Sequence, residues 1–239
     1  MQEKLSTVDS DTTRDLVRTL RQRIVAWQYP PQFQLIEEAL AQEFGVSRSP
    51  IRQALMHLSA EGLLQRLPRR GFRVQQLQLR DVEDLYEFRL ALEVQVVRVL
   101  AHKGVPEATL FQLQAMWQDS PNLASRAVSE LAALDESFHA TLAEAHGNRM
   151  IIQQLKAINE RLFAFREIDF KQFDRLDSTC DEHNRLLHAL LSHDVEQACE
   201  LIRLNINSAL GNVENTIVQL VARSYLNPAI HSNDQGESS

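Results

Sequence analysis

Arg48 and Arg52 stand four residues apart in Ser47-Arg48-Ser49-Pro50-Ile51-Arg52, so on a helix they share one face. Two guanidinium groups on an exposed face suit the O6 and N7 atoms of guanine, at about 1–3 kcal/mol of discrimination per bidentate pair. Ser47 and Ser49 are short enough to touch phosphates, and the N–H groups of a first helical turn favour an anion. A second basic cluster, Arg69-Arg70-Gly71, lies between two short apolar runs and suits a narrow minor groove. Arg48 and Arg52 alone would be an ordinary solvated face, so the weight falls on their setting.

A different constellation lies further along. Asp135 and His139 are also four apart, but their flanks Leu131, Leu134, Phe138 and Leu142 are apolar, so their shared face is at least partly buried. A buried aspartate without a partner is costly. His183 sits among Leu186, Leu187 and Leu190, and Asn205 among Leu201, Ile202, Leu204 and Ile206. One carboxylate and imidazoles converging from three helices would suit zinc, nickel or manganese. The same spacing equally suits a plain Asp–His hydrogen bond, and the residues alone leave both readings open.

These groups need elements to hold them. Leu16, Leu20, Ile24 and Trp27 predict an amphipathic helix over 12–28, with Thr12 or Thr13 as its N-cap and Tyr29-Pro30-Pro31 as its stop. A short helix over 36–44 follows, then a turn at Phe44-Gly45-Val46. The next helix runs from Ser47, as N-cap, to Glu61-Gly62, with Val46, Ile51, Leu55 and Leu58 facing inward. Leu63–Leu67 and Gly71–Val74 read as a two-stranded hairpin with a basic tip. Helix, helix, turn, helix, hairpin is a winged helix-turn-helix, with residues 35–61 as its reading motif. From 79 onward helical periodicity predicts about six helices, near 80–102, 106–118, 123–146, 149–169, 171–191 and 194–222. The expected fold is mostly α: a flexible start (1–12), a winged head (13–75), a linker (76–80), an all-α bundle (81–225) and a flexible tail (226–239).

Charge agrees with this division. The chain carries −7 overall, yet residues 13–75 hold ten arginines against five acids and are +5, while residues 76–239 carry −10. A basic head on an acidic body indicates a small anion-binding module joined to something else. With 7 Gly and 7 Pro in 239 residues and 44% hydrophobic residues, long helices are favoured over a turn-rich β fold. No apolar run approaches the ~20 residues a bilayer requires, and the polar start does not resemble a signal peptide. Two cysteines, Cys180 and Cys199, are too few for a disulfide framework, so a reducing cytoplasm is expected.

Leu40-Ala41-Gln42-Glu43-Phe44-Gly45-Val46-Ser47-Arg48-Ser49-Pro50-Ile51-Arg52-Gln53-Ala54-Leu55, then Leu58, Glu61-Gly62-Leu63 and Arg69-Arg70-Gly71-Phe72-Arg73-Val74, resembles the winged helix of GntR-family bacterial regulators. The resemblance implies base contacts from Arg48 and Arg52 and a wing tip marked by Gly71. Some relatives carry arginine where this chain has Glu38. Residues 81–223 resemble the helical FCD domain of the FadR-like subgroup, through Tyr86–Glu93, Asp135–His139, Glu182-His183 with Leu187, Ala189 and Leu190, and Asp194 with Ala198. Many such domains hold a metal with one Asp and three His. That resemblance matches Asp135, His139 and His183, and places the fourth position on Asn205, a weaker ligand through its carbonyl oxygen. It also implies that Arg89 lines an effector cavity and binds a carboxylate; the alternative for Arg89 is a surface or interdomain salt bridge.

The expectation is a homodimeric regulator, more often a repressor in this family, that binds a double-stranded operator. A small organic acid and a divalent transition metal (Zn, Ni or Mn) in the helical domain would control it. Its rivals are a metal-free effector domain, a DNA-binding scaffold without effector, and a metalloenzyme. No HExxH and no nucleophile motif accompanies the Asp–His pair, and Glu136 points to another face, so no catalysis is expected.

Overall fold

Residues 2–25 contain neither proline nor glycine, and they form one helix, α1 (Gln2–Val25). It starts ten residues before the expected N-cap, so Thr12 and Thr13 lie inside it. It ends at Val25 because Trp27 turns left-handed (φ 58°) ahead of Pro30-Pro31. The computed structural model describes residues 2–75, 78–117, 123–172 and 174–226. The expected tail from 227, part of the expected linker (76 and 77) and the break at Ser120-Pro121-Asn122 fall outside these. Contacts divide the chain into two compact units, Met1–Gln78 and Leu79–Ser239.

In the first unit α2 (Glu37–Phe44) stops at Gly45, whose φ of 64° is left-handed and open to glycine at no steric cost. The recognition-type helix α3 (Arg48–Ala60) follows. The sheet has three strands rather than the expected two: β1 (Gln34–Leu35), β2 (Leu64–Leu67) and β3 (Gly71–Val74), antiparallel in the order β1-β3-β2. Two residues are too few to show alternation, so β1 leaves no periodic signal. Its presence explains Gly71. A Cβ at that position would lie 2.4 Å from the Leu35 carbonyl oxygen, and φ is 84°. The glycine therefore opens β3 and admits β1, while Pro68, Arg69 and Arg70 form the tip. Leu20, Ile51, Ala54, Leu55 and Leu58 are fully excluded from water at the centre of this unit, with Leu16, Ile24, Leu35, Leu64 and Phe72 around them. A partly buried Arg21–Glu61 ion pair (2.7 Å) ties α1 to the end of α3.

The second unit contains α4 (Leu79–Lys103), α5 (Glu107–Trp117), α6 (Val128–His146), α7 (Arg149–Asp169), α8 (Arg175–Leu191) and α9 (Val195–Leu226). The six expected helices are present, with two late starts. Residues 124–126 turn, and α6 begins only at Val128, where the Glu130 carboxylate accepts the Ala127 N–H at 3.0 Å. Asp174 takes a left-handed φ of 59°, which postpones α8 from 171 to Arg175. The helix α4 packs along α9, α7, α8 and α6, which makes it the central element of the bundle. Both cysteines are buried, and they form no disulfide. Among the described residues no helix is long and apolar enough to cross a membrane.

Candidate functional site

The apolar stripe of α3 is spent on the core, so the opposite face is turned outward by default. Ile51, Ala54, Leu55 and Leu58 are buried, while Ser47, Arg48, Ser49 and Arg52 are exposed at the helix start. Ser47 occupies the N-cap with extended backbone, but its hydroxyl makes no capping bond, and no acidic residue stands in the first turn. That end of α3 keeps its positive dipole and its N–H groups for an external anion. Arg69 and Arg70 are exposed on the tip, where Gln34 Nε2 donates to the Arg70 carbonyl at 2.5 Å.

Neither Arg48 nor Arg52 stands alone. Arg52 Nε and Nη2 donate to Glu37 at 2.7–3.1 Å, and this hydrogen bonding draws the Glu37 carboxyl below the ordinary carboxylate range. Arg48 Nη2 lies 3.7 Å from Glu38 Oε2. The acidic pair that opens α2 thus faces the basic pair that opens α3. Sequence reading marked Glu38 only as a departure and did not find Glu37; its three-dimensional role depends on how the two helices cross.

The second site is buried. Asp135 and His139 project from α6 and His183 from α8, and one potential ligand atom of each lies within 4.8 Å of the others. Asp135 Oδ1 is 3.7 Å from His139 Nε2 and 3.4 Å from His183 Nε2. Ligand atoms about 2.1 Å from a tetrahedral ion stand about 3.4 Å apart, so the spacing fits a metal of that kind. His139 Nε2 and both nitrogens of His183 are buried without a hydrogen-bond partner, which is unusual unless something else binds them. Burial holds the His183 imidazole well below its usual range, keeping it neutral as a ligand must be. The ring is fixed by stacking on Phe138 (3.8 Å, 16°) and by the edge of Trp117 (4.7 Å).

Around the triad runs a buried ionic network. Arg166 Nη1 donates to Asp135 Oδ2 at 2.6 Å, and Arg166 Nη2 to Asn159 at 3.1 Å. Burial pushes the Asp135 carboxyl up, but Arg166 and His139 outweigh it and leave the group ionised far below its usual range. Arg89 is buried too, its Nε donating to Glu93 Oε1 at 2.6 Å, and Glu93 Oε2 faces His139 Nδ1 at 2.5 Å. Arg89 is therefore in a salt bridge, but a buried one within its own helix rather than at the surface. Asn205 is buried and donates to Glu182 Oε2 at 2.6 Å, and Glu182 also accepts from Arg175. The structure brings Asp135, His139 and His183 together and ties the expected fourth position to the Arg175 network instead. Arg166 and Trp117 were not found from sequence. The available signal for Arg166 was a charge embedded in Leu162–Phe170, where all nine residues are buried.

Residues 12–74 match the family described as bacterial regulatory proteins, gntR family, and residues 84–208 match the FCD domain, over half of the chain. The uncharacterized HTH-type transcriptional regulator YdhC of Bacillus subtilis is 28% identical over 189 residues, covering 79% of this chain and 84% of that protein. The gluconate operon transcriptional repressor of Bacillus licheniformis is 27% identical over 201 residues, 82% of each chain. The solved structure of E. coli McbR/YncC superposes with a TM-score of 0.64 at 18% identity, over 86% of this chain and 98% of that one, which is a likeness of fold. This chain belongs to the gntR family of bacterial regulatory proteins, in the branch that carries an FCD domain, and is a transcription regulator rather than an enzyme.

Proposed function

We propose that this regulator is a cytoplasmic homodimer that represses transcription by binding a pseudo-palindromic operator and is released or retained by a small organic acid. Ser47, Arg48, Ser49 and Arg52 contact the major groove, and Arg69, Arg70 and Gly71 bring the wing to the neighbouring backbone or minor groove. Asp135, His139 and His183 hold a divalent zinc, nickel or manganese ion, with Asn205 in reserve as a weak fourth ligand. When bound, that ion supplies a positive Lewis-acid centre on which a carboxylate can rest. Arg89 and the network around it hold the ligand's charge. The effector acts by favouring one arrangement of the dimer over the other, which requires different affinity for the two.

One observation carries this reading. Six buried side-chain nitrogens of the described residues have no protein partner, and all six lie in the helical unit, on Arg89, Trp117, His139, Arg166 and His183. Three of them, Arg89 Nη2, Trp117 Nε1 and Arg166 Nε, can only donate. A metal ion suits the imidazoles, and an acceptor-rich anion suits the donors. The relative named as a gluconate operon repressor controls genes named for a polar monocarboxylate, which is the chemical class proposed here for the effector.

Fluorescence anisotropy with operator DNA obtained by in vitro selection tests the reading head. Arg48→Ala and Arg52→Ala should each weaken specific binding by about 1–3 kcal/mol while leaving the fold intact. Undiminished binding by the double variant overturns the assignment. Thermal shift against small hydroxy acids, with and without Zn2+, tests the helical unit; no stabilisation under either condition leaves a scaffold without effector.

A metal-free version of this reading is favoured by the Arg166 guanidinium, which already neutralises Asp135 at 2.6 Å. Elemental analysis separates the two, since the first reading requires close to one metal ion per chain.

A further inference from the structure

Two buried histidines face the candidate metal position, and they are held in different ways. His183 has no hydrogen bond at either nitrogen; aromatic contacts hold its ring, and Nε2 stands 3.4 Å from Asp135 Oδ1. His139 is gripped by a carboxylate. Glu93 lies on α4, with Oε2 at 2.5 Å from His139 Nδ1, while its other oxygen accepts from Arg89 Nε at 2.6 Å. Arg89 and Glu93 are one helical turn apart, so they pair without strain, and Arg89, Glu93 and His139 are only 2%, 3% and 2% exposed.

The consequence for the imidazole follows from valence. An ionised carboxylate only accepts, so the ring nitrogen facing Glu93 carries a proton. With Nδ1–H fixed there, the lone pair available to a metal is on Nε2, the nitrogen that is buried without a partner and faces Asp135 Oδ1. Arg89 Nε donates to the other Glu93 oxygen at 2.6 Å, a buried ion pair that leaves the Glu93 carboxylate as an acceptor toward the ring.

We propose that Glu93, braced by Arg89, is the positioning residue that fixes His139 with Nε2 toward the metal and thereby sets the metal affinity of the Asp135–His139–His183 centre. This rests on the metal reading above. It also changes what Arg89 does: Nε belongs to the metal's support, and Nη2, buried without a partner, is what remains for a ligand carboxylate. A carboxylate at Nη2 and a metal at His139 then meet through one shared Glu93. Whatever factor one changes the other's affinity by, the reverse change is the same.

The test is zinc affinity of the full-length protein, by competition with a chromogenic chelator, together with the visible spectrum of the Co2+ form. Outer partners of metal-bound histidines are commonly worth about 10–100-fold in affinity. Glu93→Gln keeps an acceptor for Nδ1–H and is expected to bind zinc about 10-fold more weakly, with a Co2+ spectrum close to wild type. Glu93→Ala is expected to lose about 100-fold and to alter the spectrum. Arg89→Ala should weaken zinc binding in the wild type but add nothing in the Glu93→Ala background, while the Co2+ spectrum separates a reoriented ligand from a loss of stability alone. If Glu93→Ala fails to fold, Glu93→Gln carries the test. Wild-type zinc affinity in folded Glu93 variants overturns this proposal alone. Absence of zinc binding by the wild-type protein overturns it together with the metal reading.

Discussion

Arg52 reaches the outer face of α3 already bound to Glu37 through Nε and Nη2. Such a pairing restricts a long side chain that would otherwise lose rotamer entropy on meeting a base, and so it favours one docking geometry. In the proposed docking it would also bring a negative charge close to the DNA backbone and penalise binding in any other register. Glu37→Gln should therefore tighten binding to random duplex and narrow the ratio between operator and random DNA. Anisotropy titrations on both duplexes at fixed salt measure that ratio; an unchanged ratio means that the pair is incidental. Glu38, 3.7 Å from Arg48 and well exposed, is a looser partner. An exposed pair of that kind contributes little to stability, at most about 1 kcal/mol.

At the scale of elements, the winged unit depends on a strand of two residues. Closing β1 on β3 pairs Gln34 with Arg73 and Leu35 with Phe72, and it is possible only because residue 71 has no side chain. Gly71→Ala should destabilise the first unit by about 1–3 kcal/mol, through a left-handed φ and the clash with the Leu35 carbonyl. Thermal unfolding should show the loss directly, and an unaltered transition would mean that β1 can shift aside without cost. Sequence periodicity located the helices well because each carries an apolar face over many turns. It missed β1, which has no period, and overran α6 and α8 at their starts, where a Glu130 cap and a left-handed Asp174 decide the boundary locally. In the buried site, Asp135 and His139 were legible because both lie on one helix face. Their tie to Glu93 on α4 and to Arg166 on α7 joins residues 46 and 31 positions apart, and no local pattern encodes it.

At the scale of the molecule, the charge division is a statement about partners. Residues 13–75 carry +5 and residues 76–239 carry −10, so attraction to DNA comes from the head against repulsion from the body. Operator affinity should accordingly fall steeply with salt. Its log–log slope should ease by about 1 for each phosphate-contacting arginine removed, which titrations across a salt series can measure for Arg69→Ala and Arg70→Ala. A dimer on a two-fold operator should protect two half-sites about 10 base pairs apart. Sedimentation of the complex gives the stoichiometry, and one chain per operator would refute the dimer.

The sequence by itself determined the two-part plan, the placement of Arg48 and Arg52 on one exposed helical face, and the candidacy of Asp135, His139 and His183. Each of these follows from local periodicity, charge counts and residue type, which need no partner to be read. Only the tertiary structure decided that Glu37 holds Arg52, that Gly71 serves β1, and that Asn205 turns to Glu182. It alone placed Arg89 behind Glu93 and His139 rather than on the surface. Those are contacts between distant segments inside low-dielectric surroundings, where a buried charge must find a partner wherever the packing of helices brings one.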